Sequence, residues 1–246
     1  MRFLVGFVAA IALVITGCGS DTERASSNTD ATALLRSTVT NLQNLKSAAV
    51  DLKATAGGQT ATATGAFERT GAKELPKFTL SGTGGGKTAG ATWTGEKGYV
   101  TLEGASYEIP GMYVKQLGAV APTVLPDITK WVSAPRNAGA ADVGGVPTIK
   151  ITGTANVAQI QSDLQFIAPL VGQMPKLAGT KATVEVYTGS ADSQLRRLVV
   201  RNRQGVVDLT LTKVGEDQAI VAPKGARPFS ELSGKLGSAG LGLAIK

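Results

Sequence analysis

Residues 50–69 read Val-Asp-Leu-Lys-Ala-Thr-Ala-Gly-Gly-Gln-Thr-Ala-Thr-Ala-Thr-Gly-Ala-Phe-Glu-Arg, and this stretch decides the fold. Val50, Leu52 and Ala54 alternate with Asp51, Lys53 and Thr55, a period of two that only a strand presents to a core. Gly57-Gly58 interrupts the run as a hairpin turn does, and the alternation resumes over residues 60–69. Further short runs follow with turn residues between them, over 77–83, 87–94, 97–102 and 106–109. Six candidate strands within about sixty residues, with connections too short for a crossover, predict an antiparallel meander.

Upstream, Ala31, Leu34, Leu35, Val39, Leu42 and Leu45 recur at steps of three and four, which predicts an amphipathic helix with Asp30 as its N-cap. Downstream, residues 110–135 hold four prolines and no alternation, so short helical pieces are expected there. One would start near Pro126-Asp127 and carry Ile128 and Trp131. Strands return at Val143 and 146–154 around Gly144-Gly145, and Asn156 is placed to cap a second helix bearing Val157, Ile160, Leu164 and Ile167. Strands over 181–188, 194–202 and 205–214 and a short helix over 228–236 complete the list. The expected class is α+β: a strongly curved antiparallel β-sheet, a half-barrel, wrapping a few helices around an apolar cavity. Two helices cannot cover both faces of nine or ten strands, so curvature is the economical solution.

The N-terminus sets the expected location. Arg2 precedes an apolar run, Phe3 to Ile15, whose thirteen residues would span only about 20 Å as a helix, short of a bilayer core. This is a signal peptide pattern and not a membrane anchor. The run ends in Ile15-Thr16-Gly17-Cys18, which resembles a bacterial lipobox. The resemblance implies cleavage before Cys18 and lipidation of its sulfur. The mature chain would then be held at the extracytoplasmic face of the cell membrane, since two or more acyl chains anchor stably. Residues 1–17 are thus read as signal peptide and 18–29 as lipidated cysteine and polar tether. Residues 30–236 form a single domain, and 237–246 a loose glycine-rich tail.

Composition removes most chemistry. The 246 residues include no histidine and a single cysteine, which excludes histidine triads, histidine-ligated metals, CxxC redox pairs and intrachain disulfides. The chain is 43% hydrophobic but only 5% aromatic, and its net charge is +7, which speaks against a stacking nucleic-acid binder. Gly82-Thr83-Gly84-Gly85-Gly86-Lys87-Thr88 imitates a phosphate loop, but Ser81 stands where the leading glycine belongs and no helix follows. Asp142, Glu103 and Glu108 are not brought together as an acid pair by any pattern. No catalytic residue, metal or cofactor is expected, and the chain is read as a non-enzyme.

The first group of strands carries small residues: 60–67 is TATATGAF and 87–94 is KTAGATWT. A curved sheet with so little volume inside cannot reach native density unless something else fills it. Helix side chains are one filler; an apolar ligand is the other. Under the second reading Val50, Leu52, Phe67, Phe78, Leu80, Trp93, Tyr99 and Ile109 line the sheet side. Ile128, Trp131, Ile160, Leu164 and Ile167 line the helix side, and Met112, Leu117 and Leu125 belong to a lid over residues 112–125. Arg197, Arg201 and Arg203 share strand parity, which suits either a positive stripe for lipid phosphates or an ordinary solvated face.

The run Lys130-Trp131-Val132-Ser133-Ala134-Pro135, followed by Asp142-Val143-Gly144-Gly145-Val146-Pro147-Thr148-Ile149-Lys150-Ile151-Thr152-Gly153, resembles the central signature of the actinobacterial LppX/LprA/LprF/LprG lipoproteins, which are LolA/LolB-like in fold. The lipobox, opening helix and strand count match as well. The resemblance implies a half-barrel enclosing an apolar cavity, an acylated lipid or glycolipid as ligand, and its carriage across the cell envelope. It leaves room for a membrane lipid transporter as a further partner and carries over no catalytic residue. The alternative is an envelope structural or interaction lipoprotein without a lipid ligand.

Overall fold

The computed structural model describes residues 30–71, 75–111, 127–164 and 179–236. Helix α1 spans Ala31–Gln43, and the Asp30 carboxylate caps it by accepting from the Thr32 amide at 2.9 Å. Six strands follow: β1 (Ser47–Ala56), β2 (Gln59–Glu68), β3 (Lys77–Gly84), β4 (Lys87–Trp93), β5 (Gly98–Leu102) and β6 (Ala105–Ile109). A single 3₁₀ turn, Ile128–Lys130, leads into β7 (Ser133–Val143) and β8 (Val146–Asn156). Helix α2 (Val157–Leu164), β9 (Lys181–Gly189), β10 (Leu195–Asn202), β11 (Gly205–Thr212) and α3 (Phe229–Leu236) complete the described elements.

All eleven strands form one open, curved sheet in the order β6-β5-β4-β3-β2-β1-β11-β10-β9-β8-β7, antiparallel at every pairing. The sheet is two consecutive meanders, β1–β6 and β7–β11, joined where β1 pairs with β11. Tight glycine turns make this economical: Gly57-Gly58, Gly85-Gly86 and Gly144-Gly145 all hold positive φ, which L-residues adopt only at a cost. Beyond β11 the chain crosses to the far edge. The Gly215 amide donates to Ser47, that of Gln218 to the Glu68 carboxylate, and Arg227 exchanges backbone bonds with Ser106 and Glu108. This strap pairs with the outer side of β6 and so covers an edge that would otherwise invite another chain.

The core lies between α1 and one face of the second meander. Leu34, Leu35, Val39 and Leu42 of α1 pack with Ile149, Ile151, Val184, Val186, Leu198 and Val200. Thr38, fully buried within that layer, donates to the Leu34 carbonyl and hydrogen-bonds Thr188 at 2.9 Å. Ile128, Trp131 and Val132 close the same core from the 3₁₀ turn. At Gly153 a side chain is missing for a reason: a Cβ there would sit 2.5 Å from Val132 Cγ1 and 2.8 Å from the Ser133 carbonyl.

The predicted strands are all present, and the expected α+β curved sheet is the observed one. The described residues hold eleven strands, because β7 runs for eleven residues where only its end at Val143 was expected. Its sequence, SAPRNAGAADV, has no apolar alternation, and its pairing with β8 is irregular between Ser133 and Arg136 and between Asn137 and Ala140. Gly139, at φ 95°, and the Asn137 side chain accepting from its amide hold the second irregularity. Cys18 with the signal and tether readings, the lid residues Met112, Leu117 and Leu125, Ile167 and the tail beyond Leu236 lie outside the described residues.

Candidate functional site

Register assigns every strand residue to a face. In the first meander the face continuous with the core carries successive rows across β2 to β6. The first is Phe67, Phe78, Trp93, Gly98 and Ile109. The second is Gly65, Leu80, Ala91, Val100 and Tyr107, and the third is Ala63, Gly82, Ala89, Leu102 and Ala105. Side-chain bulk therefore falls from one end of the strands to the other, from an aromatic row to one of mostly alanine and glycine. Apart from Phe67, which packs against its margin, none of these residues belongs to the core cluster under α1. Phe78, Leu80, Trp93, Val100, Leu102 and Ile109 are only half-buried, whereas Ala63, Gly82, Ala91 and Tyr107 on the same face are buried, so the wing is partly covered and partly open.

Of the predicted cavity residues, Phe78, Leu80, Trp93 and Ile109 are brought together on this face. Val50, Leu52 and Phe67 form the seam where it meets the core. Tyr99 is a correction. The four residues Thr94–Lys97 between β4 and β5 pair Trp93 with Gly98, so Tyr99 falls opposite Thr92 on the other face, where it is buried. Val100 and Tyr107 take the place expected for it. Their parity was available from the Glu103-Gly104 turn, which sets Leu102 against Ala105. Ile128, Trp131 and Ile160 are a second correction: they are 1–2% exposed and belong to the core cluster packed under α1, not to the face of the first meander. The helix carrying Leu164 is present as α2, and nothing is described of that side chain.

The wing holds one polar signal. The indole Nε1 of Trp93 is buried and has no hydrogen-bond partner among the described residues. Such an orphaned donor is uncommon and costs roughly 1–3 kcal/mol unless a further group meets it.

The opposite face of the second meander is charged. Glu185 lies between Lys150 (3.1 Å), Arg201 (3.3 Å) and the Tyr187 hydroxyl (2.9 Å), while Arg197 forks onto Asp208. Lys150 and Arg197 sit over the Tyr187 ring at 5.5 and 5.6 Å. Burial pushes the Glu185 carboxyl up, but the Tyr187 hydroxyl and the two cations outweigh it and hold the group below its ordinary value. Burial also pulls Lys150 down, and its bonds to Glu185 and Tyr187 more than reverse this. The expected arginine stripe is thus largely neutralised: Arg197 and Arg201 share a face, each with its own carboxylate. Among the described residues no group of acidic or cysteine side chains could hold a metal, and no helix is long and apolar enough to cross a membrane.

An open, curved antiparallel sheet with a few helices, one half packed under α1 and the other carrying half-buried apolar side chains, is a half-barrel fold. Among solved structures the chain is similar to LprF from Mycobacterium bovis, at TM-score 0.57 and 18% identity over 79% of this chain and 97% of that one. It is also similar to the lipoprotein LppX from Mycobacterium tuberculosis, at TM-score 0.55 and 18% identity over 77% and 97%. At that identity the likeness is one of fold. No protein-family model and no curated protein matches the chain.

Proposed function

We propose that this chain is a membrane-anchored envelope lipoprotein that takes acyl chains of a lipid or glycolipid against the inner face of β2–β6 and carries them across the envelope. The supporting observation is the gradient of bulk on that face: half-buried apolar side chains at one end, alanine and glycine at the other, and no place in the core cluster. Acyl chains supply the missing volume along the small-residue rows, and the aromatic row closes one end. The unpartnered Trp93 donor suits an ester carbonyl or sugar oxygen where chains meet headgroup. Hiding several hundred Å² of hydrocarbon is worth on the order of 10 kcal/mol against water at about 25 cal/mol per Å². Against a bilayer the net is near zero, which reversible pick-up and release require. Cys18 holds the carrier at the extracytoplasmic face, and a membrane transporter is the natural donor or acceptor.

The test is mass spectrometry of organic extracts from the purified full chain and from Ala89→Trp, which fills the third row. Co-purified acylated lipid that falls at least severalfold in the variant, at unchanged thermal stability, supports the reading. A clean extract from the unaltered chain favours the structural or interaction lipoprotein instead.

A further inference from the structure

The charged face described above is not uniform. At its centre the cations Lys150, Arg197 and Arg201 all meet Glu185 or Asp208. At the end of β9 and β10 the pattern changes. Thr183 pairs with Arg201, Lys181 opens β9, and Arg203 stands in the turn that follows β10. Neither Lys181 nor Arg203 has a carboxylate within salt-bridge distance among the described residues.

Lys181, Arg201 and Arg203 line a shallow, open cleft of about 370 Å³. Thr154, Thr183 and Gln204 add hydroxyl and amide groups to its lining. That set of groups, cationic and donor-rich with no free carboxylate, matches a phosphoryl group and offers nothing to an acyl chain. The site lies on the face opposite the apolar wing, so it is not part of the proposed acyl site.

The geometry points to a membrane-docking site: Lys181, Arg201 and Arg203 receive the phosphates of anionic phospholipid headgroups and set the domain's orientation on the bilayer. The partner follows from charge complementarity and reach. Residues 18–29, between the lipobox cysteine and α1, extend at most about 40 Å, so a domain anchored at Cys18 stays close to headgroups. A neutral bilayer gives these cations no counter-charge, whereas an anionic one attracts each by roughly fivefold in affinity. The inference does not depend on any ligand in the apolar wing.

The experiment uses the full chain carrying Cys18→Ser, so that no acyl anchor contributes, in flotation with phosphatidylcholine vesicles with and without 30 mol% phosphatidylglycerol at low salt. The apolar run 3–15 acts on both vesicles alike, and the ratio between them is read. The ratio is expected to fall about twenty-five-fold in Lys181→Gln/Arg203→Gln and to hold in Lys53→Gln/Lys224→Gln, which removes the same charge elsewhere. Thr154→Glu, which brings a carboxylate to the lining and spares the cations, is expected to lower the ratio as well. An unchanged ratio in the first pair, or equal losses in both pairs, overturns the assignment. So does displacement by millimolar inorganic phosphate that chloride of equal ionic strength does not match, since free phosphate would then be the ligand.

Discussion

The two meanders share strand direction, turn chemistry and one continuous face, yet they differ in what they put there. In the second, the row Leu209, Leu198, Val186 and Ile151 is branched throughout, and α1 lies on it. In the first, the row Ala63, Gly82, Ala89, Leu102 and Ala105 holds one branched side chain in five. One half of the sheet thus carries the core packed under α1, and the other is the half to which the proposed function assigns the acyl chains. Stability should concentrate in the second meander and ligand response in the first.

The two tryptophans offer the widest separation of these roles. Trp131 is 2% exposed in the closed core, whereas Trp93 is half-buried on the wing. Trp131→Ala should cost about 3–5 kcal/mol, as deletions of large buried aromatics do, read as a shift in the urea midpoint at unchanged slope. Trp93→Ala should cost far less and reduce co-purified lipid. Equal destabilisation by both would mean that the wing is a packed core after all.

A smaller effect is expected at Gly153. Its row is otherwise Val207, Val200 and Val184, and the gap it leaves is where Val132 sits. Gly153→Ala forces Val132 or the Ser133 carbonyl to move and should cost about 1–3 kcal/mol, in the range of overpacking. Val132→Ala, made together with it, should return part of that loss. If the pair is merely additive in thermal or urea unfolding, Val132 is not what the glycine accommodates.

These same positions show what the chain's residues announced and what they concealed. The meander was legible because Gly-Gly turns and alternation repeat, and the helices because Asp30 and Asn156 cap runs of regular period; Asn156 does accept from the Ala158 amide. Strand β7 was concealed because small residues carry no periodic signal, and its irregular pairing erases parity further. Face assignment failed at Tyr99 for a different reason. Even spacing from Trp93 suggests a shared face only if the intervening loop preserves parity, and a four-residue loop pairing Trp93 with Gly98 does not. Trp131 was ambiguous in kind: an aromatic beside a proline-rich loop suits a pocket mouth or a core plug, and only its contacts with α1 and the second meander decide.

The smallest effect concerns the charged face of the filled half. Glu185 is the shared partner of Lys150, Arg201 and Tyr187, and its folded pKa lies below the ordinary carboxylate value. A depressed carboxyl contributes stability that is fully present above its unfolded pKa and is lost as pH falls through the folded one. That loss belongs below the ordinary value of 4.5. Glu185→Gln should therefore cost about 1 kcal/mol at neutral pH, and the difference from the unaltered chain should shrink on acidification through that window. Removing the Glu108 carboxylate, which pairs with Lys97 on the first meander with both side chains well exposed, should cost almost nothing at neutral pH, because water already solvates that pair. Urea unfolding at a series of pH values from 3 to 7 reads both. A loss at Glu108 as large as that at Glu185 would mean that neither partial burial nor the second cation strengthens the Glu185 cluster.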